Sequence, residues 1–471
     1  MSLGLLENTV RLIKPALVAL LLLPMVVAFG PSACFPRLEF PGYTVIQLAP
    51  GSDIEFQVRE ALQVAKPGTI IQFPAGNFSF DDELIVQLSH VVLRGRGPLA
   101  TTLDFTGQQT GAQGILATED GFVIQGLRVL NPKGDGVRVE GADGVVFQNV
   151  HVEWNTTPDN LHGAYGIYPV QCKNVLIDNA TVRGSSDAGI YVGQSDGIVV
   201  RRSKAIANVA GIEIENSKNA DVYFNYASNN TGGVLVFDNP GLPYYGCRAH
   251  VDPAKDDPTC RGTRVFSNWI VDNNHANFAN GGTVALVPRG TGVIIMATDN
   301  VEVFNNVIRN HKTVNLVVIS FKLTQEPFSD PNYNPYPERI DIHDNEFADG
   351  GYEPEGDLGI IFSLGFAPQP LPDVTVDNIY LDPTEAEPDK TLPDSVEICA
   401  TDNFGDNGPA TFGAIRPAVP GGTRYTGDLH LCTHPRRDAV LLAAISEPPI
   451  VEDPYTPEQI AAACQAGTSA S

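Results

Sequence analysis

Apolar and polar residues alternate along most of this chain, and the alternation returns with a regular period. From residue 112 onward, a Gly or Asn followed by alternating apolar residues recurs about every 22 residues, with insertions at a few places. Successive side chains of a β-strand point to opposite faces, so each copy predicts a short strand with one buried face. The copies begin at Gly114, Gly136, Gly166, Gly189, Gly211, Gly233, Gly292, Asn315 and Gly359, the last covering residues 359–362. A period this short predicts a solenoid whose stacked turns share one core.

A second apolar strand follows in most units and ends in Asn. These strands end at Asn149, Asn179, Asn225, Asn268 and the pair Asn305 and Asn306. Asn tolerates left-handed backbone, and its side-chain amide can bond the equivalent residue of the next turn. We therefore interpret the repeated Asn residues as architecture and not as catalytic amides.

The two ends of the chain depart from the repeat. Residues 52–66 form an amphipathic pattern that predicts a helix capping the open end of the solenoid. Beyond residue 365 the sequence becomes rich in Pro and Asp, which predicts an irregular extension with a short helix near residues 457–464. The predicted organisation is a signal peptide (1–33), a cap with the first turns (34–111), the repeats (112–365) and a C-terminal extension (366–471).

The repeated strands resemble those of right-handed parallel β-helix proteins of the pectate-lyase-like superfamily. The resemblance covers roughly residues 45–365, and it implies an all-β fold with a helical N-terminal cap. Segments 163–170, 186–194 and 209–216 are similar to a bacterial subfamily of exported or lipid-anchored β-helix proteins, which implies no settled activity. The Asp-Pro-His-Asp cluster of alginate epimerases, the paired aspartates of polygalacturonases and the basic run of pectate lyases do not occur in the sequence.

The net charge and the N-terminal segment limit the partners and the cellular location that we expect for the protein. The 471 residues carry a formal net charge of −25 without a compensating Lys/Arg run, which argues against nucleic-acid partners. Arg11 and Lys14 precede an apolar run at 15–30, typical of a signal peptide, with a retained anchor helix as the alternative. Ser32 and Ala33 before Cys34 resemble the end of a lipoprotein box. We expect export to the periplasm or cell envelope, with membrane contact only through a lipid on Cys34.

The cysteines after Cys34 lack zinc-like spacing, so disulfides are the better interpretation in an exported chain. Cys247 and Cys260 flank a polar loop and are the predicted pair. Cys399 and Cys432 suit a second pair. The sequence leaves Cys172 and Cys464 without an assigned partner.

The alternation also predicts which side chains point outward from the repeated strands. Four of them fall at equivalent positions in consecutive turns, about 4.8 Å apart, and form what we call the column: Arg138, Tyr168, Tyr191 and Glu213. Glu215 and Phe237 are also predicted to point outward, and insertions at 155–164, 239–263, 275–290 and 324–338 are predicted to wall a groove around this face. We expect these outward side chains to touch no core, so that substitutions change stability by no more than about 0.5 kcal/mol.

A groove of this length fits an extended polysaccharide. The catalytic candidates are Tyr191, Glu213, Asp187 and His162, and the candidates for substrate binding are Arg138, Tyr168, Glu215, Phe237 and Asp238. A lyase or epimerase would use Tyr191 or His162 as base and Arg138 to neutralise a sugar carboxylate. A hydrolase would use two carboxylates, with Asp187 and Glu213 as the favoured pair.

Two alternatives remain open at this point. Calcium is a possible cofactor, held by carboxylates of the set Asp187, Glu213, Glu215 and Asp238, and it could bridge a polyanionic glycan to this acidic chain. The protein could instead be a carbohydrate-binding or envelope scaffold without catalysis, working with another exported protein.

Overall fold

The structure is a computed structural model that describes residues 38–242, 246–247, 260–368, 370–377, 379, 398–415, 422–426, 432–443 and 445. The predicted signal peptide, Cys34, Cys464 and the predicted helix near 457–464 lie outside the described residues. Within the described part, no helix has the length and apolar character needed to cross a membrane.

Parallel strands stack into three long faces around one core. The front sheet has twelve strands in stacking order: β4 (Asp82–Val86), β7 (Thr110–Ala117), β9 (Asp135–Glu140), β11 (Ile167–Val170), β14 (Ala188–Gly193), β17 (Ala210–Glu215), β20 (Gly232–Phe237), β23 (Thr291–Met296), β26 (Val314–Ile319), β29 (Val374–Val376), β33 (Thr411–Ile415) and β34 (Gly422–Thr426). This sheet contains the repeated Gly-led strands, so it carries the column.

The second sheet follows the front sheet in each turn. Its strands are β1 (Thr44–Gln47), β2 (Thr69–Gln72), β5 (Val91–Arg94), β8 (Val123–Leu130), β10 (Asp143–Glu153), β12 (Lys173–Asp178), β15 (Asp196–Arg201), β18 (Lys218–Tyr223), β21 (Thr263–Phe266), β24 (Val301–Phe304), β27 (Ile340–His343) and β30 (Ile398–Thr401). The third sheet continues from β8 and β10, which bend through both faces and join them. Its other strands are β3 (Gly76–Ser79), β6 (Thr101–Asp104), β13 (Thr181–Arg183), β16 (Lys204–Ile206), β19 (Tyr226–Ser228), β22 (Trp269–Val271), β25 (Val307–His311), β28 (Glu346–Gly350), β31 (Phe404–Gly405) and β32 (Gly408–Pro409).

The core runs along the inside of the three sheets. Inward residues such as Ile167, Ile190 and Ile212 stack in register on adjacent front strands and are fully buried. Helix α1 (Ile54–Val64) closes the first turn with Ile54 and Val58, which belong to the same apolar cluster. The prediction of an all-β parallel β-helix with an N-terminal helical cap is therefore confirmed.

The repeated Asn residues divide into two structural roles. Asn149 and Asn179 adopt left-handed backbone at the bend after the second sheet, with φ of 53° and 55°. In later turns the residue after that bend is Asn, and these Asn residues stack into a buried ladder. The side-chain amide of each one donates a hydrogen bond to Oδ1 of the Asn in the next turn, at 2.9–3.0 Å. The ladder runs through Asn225, Asn268, Asn306, Asn345 and Asn403. These amides are satisfied by one another, as expected of architectural residues.

One predicted strand is wrong. Residues 359–362 lie in helix α2 (Gly356–Phe366), and their expected place on the front sheet is taken by β29, which pairs with β26. Leu358, Phe362 and Phe366 recur every fourth residue and are buried, so one face of this apolar helix packs against the outside of the front sheet, while Ile360 and Leu364 on the other face are exposed. Parallel pairing continues past residue 365 through β29, β30 and β33.

The outer surface of the second sheet is covered as well. Leu38 at one end, and Val440 and Leu442 from the C-terminal segment 432–443, pack on outward residues such as Val199. A disulfide joins Cys399 on β30 to Cys432, with the Cα atoms 5.1 Å apart, and so ties this segment to the sheet. Buried Cys172 is a free thiol.

Candidate functional site

The column lies on the front sheet with the expected register. Arg138 on β9 pairs with Tyr168 on β11, and Tyr191 on β14 pairs with Glu213 on β17. The pairing of β11 with β14 places Tyr168 beside Tyr191. Because the strands are parallel and in register, the four side chains follow one another along the outside of the solenoid.

The expectation of an open outward face is wrong from Tyr191 onward. Tyr191 is 4% exposed, Glu213 2%, Phe237 1% and Asp238 4%, whereas Arg138 and Tyr168 are half-buried. An apolar layer covers the later turns, and we call it the front cover: Val284 and Val287 from the 275–290 insertion, Phe321, Leu323 and Tyr333 from residues 321–333, and α2. The insertions thus close over the later turns and leave the first part of the face partly accessible. We call this half-open region, around Tyr165, Tyr168, Asp187 and Glu215, the pocket.

Three tyrosines form the wall of this pocket. The ring of Tyr165 lies 4.5 Å from that of Tyr168 and 4.5 Å from that of Tyr191, and the latter two are 5.1 Å apart. The guanidinium of Arg138 lies over Tyr168 at 5.0 Å and donates to Glu140 at 2.9 Å. The half-exposed end of the column therefore offers aromatic faces, which suit the apolar faces of sugar rings.

Carboxyl groups form the floor of the pocket. Glu215 accepts hydrogen bonds from Tyr191 Oη at 2.9 Å and from Asn239 Nδ2 at 3.0 Å. Glu213, two residues earlier on the same face of β17, lies beside Glu215, and its buried Oε2 has no hydrogen-bond partner. Asp187 lies directly before β14 and contacts Tyr165, and the charge of Glu215 nearby raises the pKa of Asp187.

Burial makes these groups hard to ionise. Desolvation and the neighbouring carboxyls raise the pKa of Asp187 to about 8 and that of Glu213 well above its ordinary value. Desolvation also raises the pKa of Asp135, at the half-open end, to about 6. The pKa of Tyr191 is raised for the same reasons, above all by burial and Glu215. At neutral pH Asp187 and Glu213 are therefore held protonated, and Tyr191 is a poor candidate for a base.

His162 does not bring a ring nitrogen to the column. Its Nε2 is bonded to Thr156 Oγ1 at 2.6 Å and its Nδ1 to the carbonyl of Gly184 at 2.6 Å. The ring stacks on Trp154 with the centroids 5.7 Å apart. These contacts fix the 155–164 insertion to the third sheet, so they support a structural role for this histidine.

The disulfide predicted between Cys247 and Cys260 is present, with the Cα atoms 5.3 Å apart. The backbone N–H of Gly246, beside Cys247, donates to the carboxyl of Asp238 at 3.0 Å. Burial raises the pKa of Asp238 well above its ordinary value. Asp238 therefore anchors the disulfide loop to the end of β20, where the front cover separates it from the half-open part of the column.

The front carboxyls do not fit a compact calcium site. In the described residues, a set of three acidic or histidine side chains with ligand atoms within 4.8 Å of one another occurs at Glu302, Asp341 and His343, on the second sheet. Asp187, Glu213, Glu215 and Asp238 do not form such a set, and calcium needs six to eight oxygen ligands in direct contact. Calcium is therefore assigned no role in the chemistry of the pocket.

Sequence reasoning missed Tyr165, Asp135 and Asn239. Tyr165 and Asp135 each lie directly before the corner Gly that opens a front strand, outside the alternation used to choose outward residues. The backbone N–H of Tyr165 donates to Asp135 Oδ1 at 3.2 Å, so the two corner residues stack as the column does. The position before each Gly is the signal that could have identified them.

The comparisons with known proteins agree on the architecture. A family model described as "Right handed beta helix region" matches residues 90–249 and 165–324. The A-module of mannuronan C-5 epimerase AlgE6 from Azotobacter vinelandii is 14% identical with a TM-score of 0.51, covering 75% of this chain and 82% of that one. The A-module of AlgE4 from the same organism is 15% identical with a TM-score of 0.46, covering 75% and 90%.

Pectate lyase Pel9A is 13% identical with a TM-score of 0.32, covering 71% of this chain and 74% of that one. No match is found among curated proteins. Identities this low concern the fold alone, and the fold agrees with the three stacked sheets and the internal Asn ladder described above. The family match and the stacked parallel sheets identify the chain as a right-handed parallel β-helix protein.

Proposed function

We propose that this protein binds an extended, neutral polysaccharide at the half-open end of the column and hydrolyses it by acid catalysis. The observation that carries the proposal is the group of carboxyls at Asp187, Glu213 and Glu215, held beside three tyrosines whose rings contact one another. A carboxyl with a raised pKa is the group that protonates a glycosidic oxygen at neutral pH. Its partner must be a carboxyl that stays ionised.

The contacts support a division of labour between Asp187 and Glu215. Asp187 is only half-buried, and its pKa of about 8 keeps it protonated at neutral pH, as a general acid requires. Glu215 is also half-buried, and burial raises its pKa above the ordinary value, but the hydrogen bonds from Tyr191 and Asn239 act against burial and favour its ionised form. We therefore assign the acid role to Asp187 and the base or nucleophile role to Glu215. Glu213 is buried and becomes a positioning residue, in place of the reacting pair Asp187 and Glu213 expected from the sequence.

A neutral substrate is favoured by the charges around the pocket. Arg138 is the cation of the column, and it is already bonded to Glu140. A uronate would add its own carboxylate to a cluster of carboxyls in a chain of net charge −25. Sugar rings without charge can instead stack on Tyr165 and Tyr168, both half-buried.

The test incubates the protein with neutral and uronate polysaccharides and reads new reducing ends and the ultraviolet absorbance of unsaturated products. We expect reducing ends from a neutral glycan, lost in Asp187→Asn and retained in Asp196→Asn, an exposed carboxyl on the second sheet. Ultraviolet-absorbing product from a uronate would overturn the proposal in favour of a lyase.

Glycan binding without catalysis is the second candidate, because the front cover buries Glu213 and Tyr191. In that case the same panel should give retention of a glycan by the wild type without any product. Weaker retention in Tyr168→Ala would place the bound glycan on the half-open end of the column, where this ring contacts Tyr165 at 4.5 Å.

Export and lipid anchoring belong to the same proposal. Two disulfides, Cys247 to Cys260 and Cys399 to Cys432, support an oxidising compartment. If Cys34 carries a lipid, Cys34→Ser should move the protein from the membrane fraction to the soluble fraction. Equal membrane association of this variant would contradict the lipid anchor.

A further inference from the structure

We infer a second site, for a divalent transition metal ion such as Zn²⁺, on the outer surface of the second sheet. Its ligands are Glu302 on β24 and Asp341 and His343 on β27. Glu302 pairs in register with Asp341, and His343 lies two residues further along, on the same face as Asp341. Ile342, between Asp341 and His343, points inward into the core, so the three ligands share the outer face of neighbouring strands. This site does not depend on the function proposed for the pocket.

The ligand atoms are already close together. His343 Nε2 lies 3.2 Å from Glu302 Oε1, and one ligand atom from each of the three residues falls within 4.8 Å of the others. Tetrahedral zinc with bonds of about 2.0–2.1 Å to N and O ligands separates those ligands by about 3.3 Å. All three side chains are buried, with exposures of 2%, 1% and 4%.

The histidine is oriented as a metal ligand is. Its Nδ1 is bonded to Asp344 Oδ2 at 2.7 Å, and its ring stacks on Phe304 with the centroids 5.1 Å apart. A neutral imidazole that donates from Nδ1 to Asp344 presents the Nε2 lone pair to Glu302. In that tautomer Nε2 can bind a metal ion beside Glu302, and a carboxylate on the other ring nitrogen is the usual support of a metal-bound histidine.

Asp341 supplies the independent observation. It is 1% exposed, and neither of its carboxyl oxygens makes a hydrogen bond. Its contact with a cation is Arg436 Nη1, at 3.6 Å from Oδ2, and the same atom lies 3.3 Å from Glu302 Oε1. The side chain of Arg436 is 57% exposed, so it can leave without disturbing the core. Arg437 adds its charge nearby and donates its backbone N–H to Glu302 at 3.3 Å.

The same row of the second sheet contains another buried carboxyl, Asp221, with which Glu302 and Asp341 can be compared. Asp221, Arg264, Glu302 and Asp341 follow one another on adjacent strands. Asp221 is neutralised by Arg264, whose Nε donates to it at 2.7 Å, whereas the strand beyond Asp341 places Cys399 at the equivalent position. The row therefore ends in two buried carboxyls whose direct ion-pair contact is the exposed Arg436, with the charge of Arg437 nearby. A nitrogen ligand beside two carboxyls favours zinc and its neighbours over calcium, which prefers oxygen ligands.

The test uses the complete chain without a histidine tag, stripped with a chelator and titrated with Zn²⁺ by calorimetry. We expect one equivalent to bind, and His343→Asn to lower the affinity at least tenfold through loss of a ligand. Arg436→Gln should raise the affinity, because it removes the competing cation from an exposed position. Asp196→Asn, on the same sheet, is the matched control and should leave binding unchanged.

Circular dichroism of each variant establishes that it folds before its affinity is compared. Absence of zinc binding in the wild type overturns the proposal, and so does equal affinity in the wild type and folded His343→Asn. Unchanged or weaker binding in Arg436→Gln overturns it as well, because this side chain is not needed for folding. Excess Ca²⁺ should fail to displace Zn²⁺, and displacement would overturn the assigned class of metal.

Discussion

The front and second sheets each have a covered stretch on the outer face, and both stretches hold buried carboxyls, but the two neutralise these carboxyls differently. On the second sheet, Asp178 is paired with Arg201, and Asp221 with Arg264. On the front sheet, Glu213 is equally buried and lies among other carboxyls. The same strand geometry thus yields an ion-pair row under the C-terminal segment and an acidic pocket under the front cover.

This difference separates architecture from a functional candidate. A buried carboxylate with an arginine can be explained by structure, since each charge satisfies the other. A group of carboxyls that must stay protonated has no such explanation and is typical of sites that transfer protons. Function is therefore better sought where neutralising partners are missing than where carboxyls are numerous.

The largest expected effect comes from breaking a pair on the second sheet. Asp178 is fully buried and also receives a hydrogen bond from Arg202 Nε at 2.7 Å, so Asp178→Asn leaves two guanidiniums without their counter-charge. Removing one partner of a buried ion pair costs about 3–5 kcal/mol. Urea denaturation should show this loss, with Asp196→Asn as the exposed control. A loss below about 1 kcal/mol would contradict the architectural role of the pair.

The second effect concerns pH. Asp187 has an ordinary pKa of 3.8 that burial raises to about 8, and burial raises that of Asp377 to about 7. Below pH 3.8 both the folded and the unfolded chain bind these protons, and between about 4 and 8 the folded chain alone holds them. The free energy of unfolding should therefore fall as pH rises through this window.

Thermal melts at pH 5 and pH 8 test this expectation, and the wild type should melt several degrees higher at pH 5. Asp187→Asn should show a smaller difference between the two pH values, because it removes one of the titrating groups. If the variant and the wild type have identical pH profiles, Asp187 does not hold its proton in the folded state.

A smaller effect is expected at Tyr191. Its hydroxyl donates to Glu215 at 2.9 Å, and the side chain is 4% exposed. Tyr191→Phe should cost about 1 kcal/mol, the typical net value of one hydrogen bond, which exceeds the 0.5 kcal/mol expected for an outward side chain that touches nothing. Chemical denaturation measures the loss, and Tyr352→Phe, which removes a solvent-exposed hydrogen bond to Asn310, is the control and should cost less. Equal stability of both variants with the wild type would mean that the front cover opens in solution.

The repeat made the fold and the register predictable from sequence. A period of about 22 residues fixes which residues share a row, so Tyr191 beside Glu213 followed from spacing alone. The cap at α1 followed from its own amphipathic pattern. These features depend on local periodicity, which a single sequence shows directly.

The burial of the column could not be predicted from the sequence in the same way. It depends on where the 275–290 insertion and α2 fold back, which involves contacts between segments far apart in the sequence. The short apolar run at 359–362 matched the strand repeat, although Leu358, Phe362 and Phe366 already had helical spacing. The pairing of Asp221 with Arg264 was likewise hidden, since 43 residues and an insertion separate them.

The smallest expected effect is at Glu213 and completes the comparison with Asp178. Both carboxyls are almost fully buried, but Glu213 is held neutral, so Glu213→Gln replaces one uncharged group by another of the same shape. Its Oε2 has no hydrogen-bond partner to lose, and the amide can still contact Glu215. We expect stability within about 1 kcal/mol of the wild type, in contrast to the large loss for Asp178→Asn.

Urea denaturation of the Glu213→Gln and Asp178→Asn variants at one pH gives the comparison directly. At pH 8 to 9 the free energy of unfolding of Glu213→Gln should rise relative to that of the wild type, because its amide cannot ionise inside the pocket. A loss of 3 kcal/mol or more in Glu213→Gln would show that Glu213 is charged and paired in the folded protein. The front pocket would then be built like the second sheet, and its carboxyls would no longer single it out as the catalytic site.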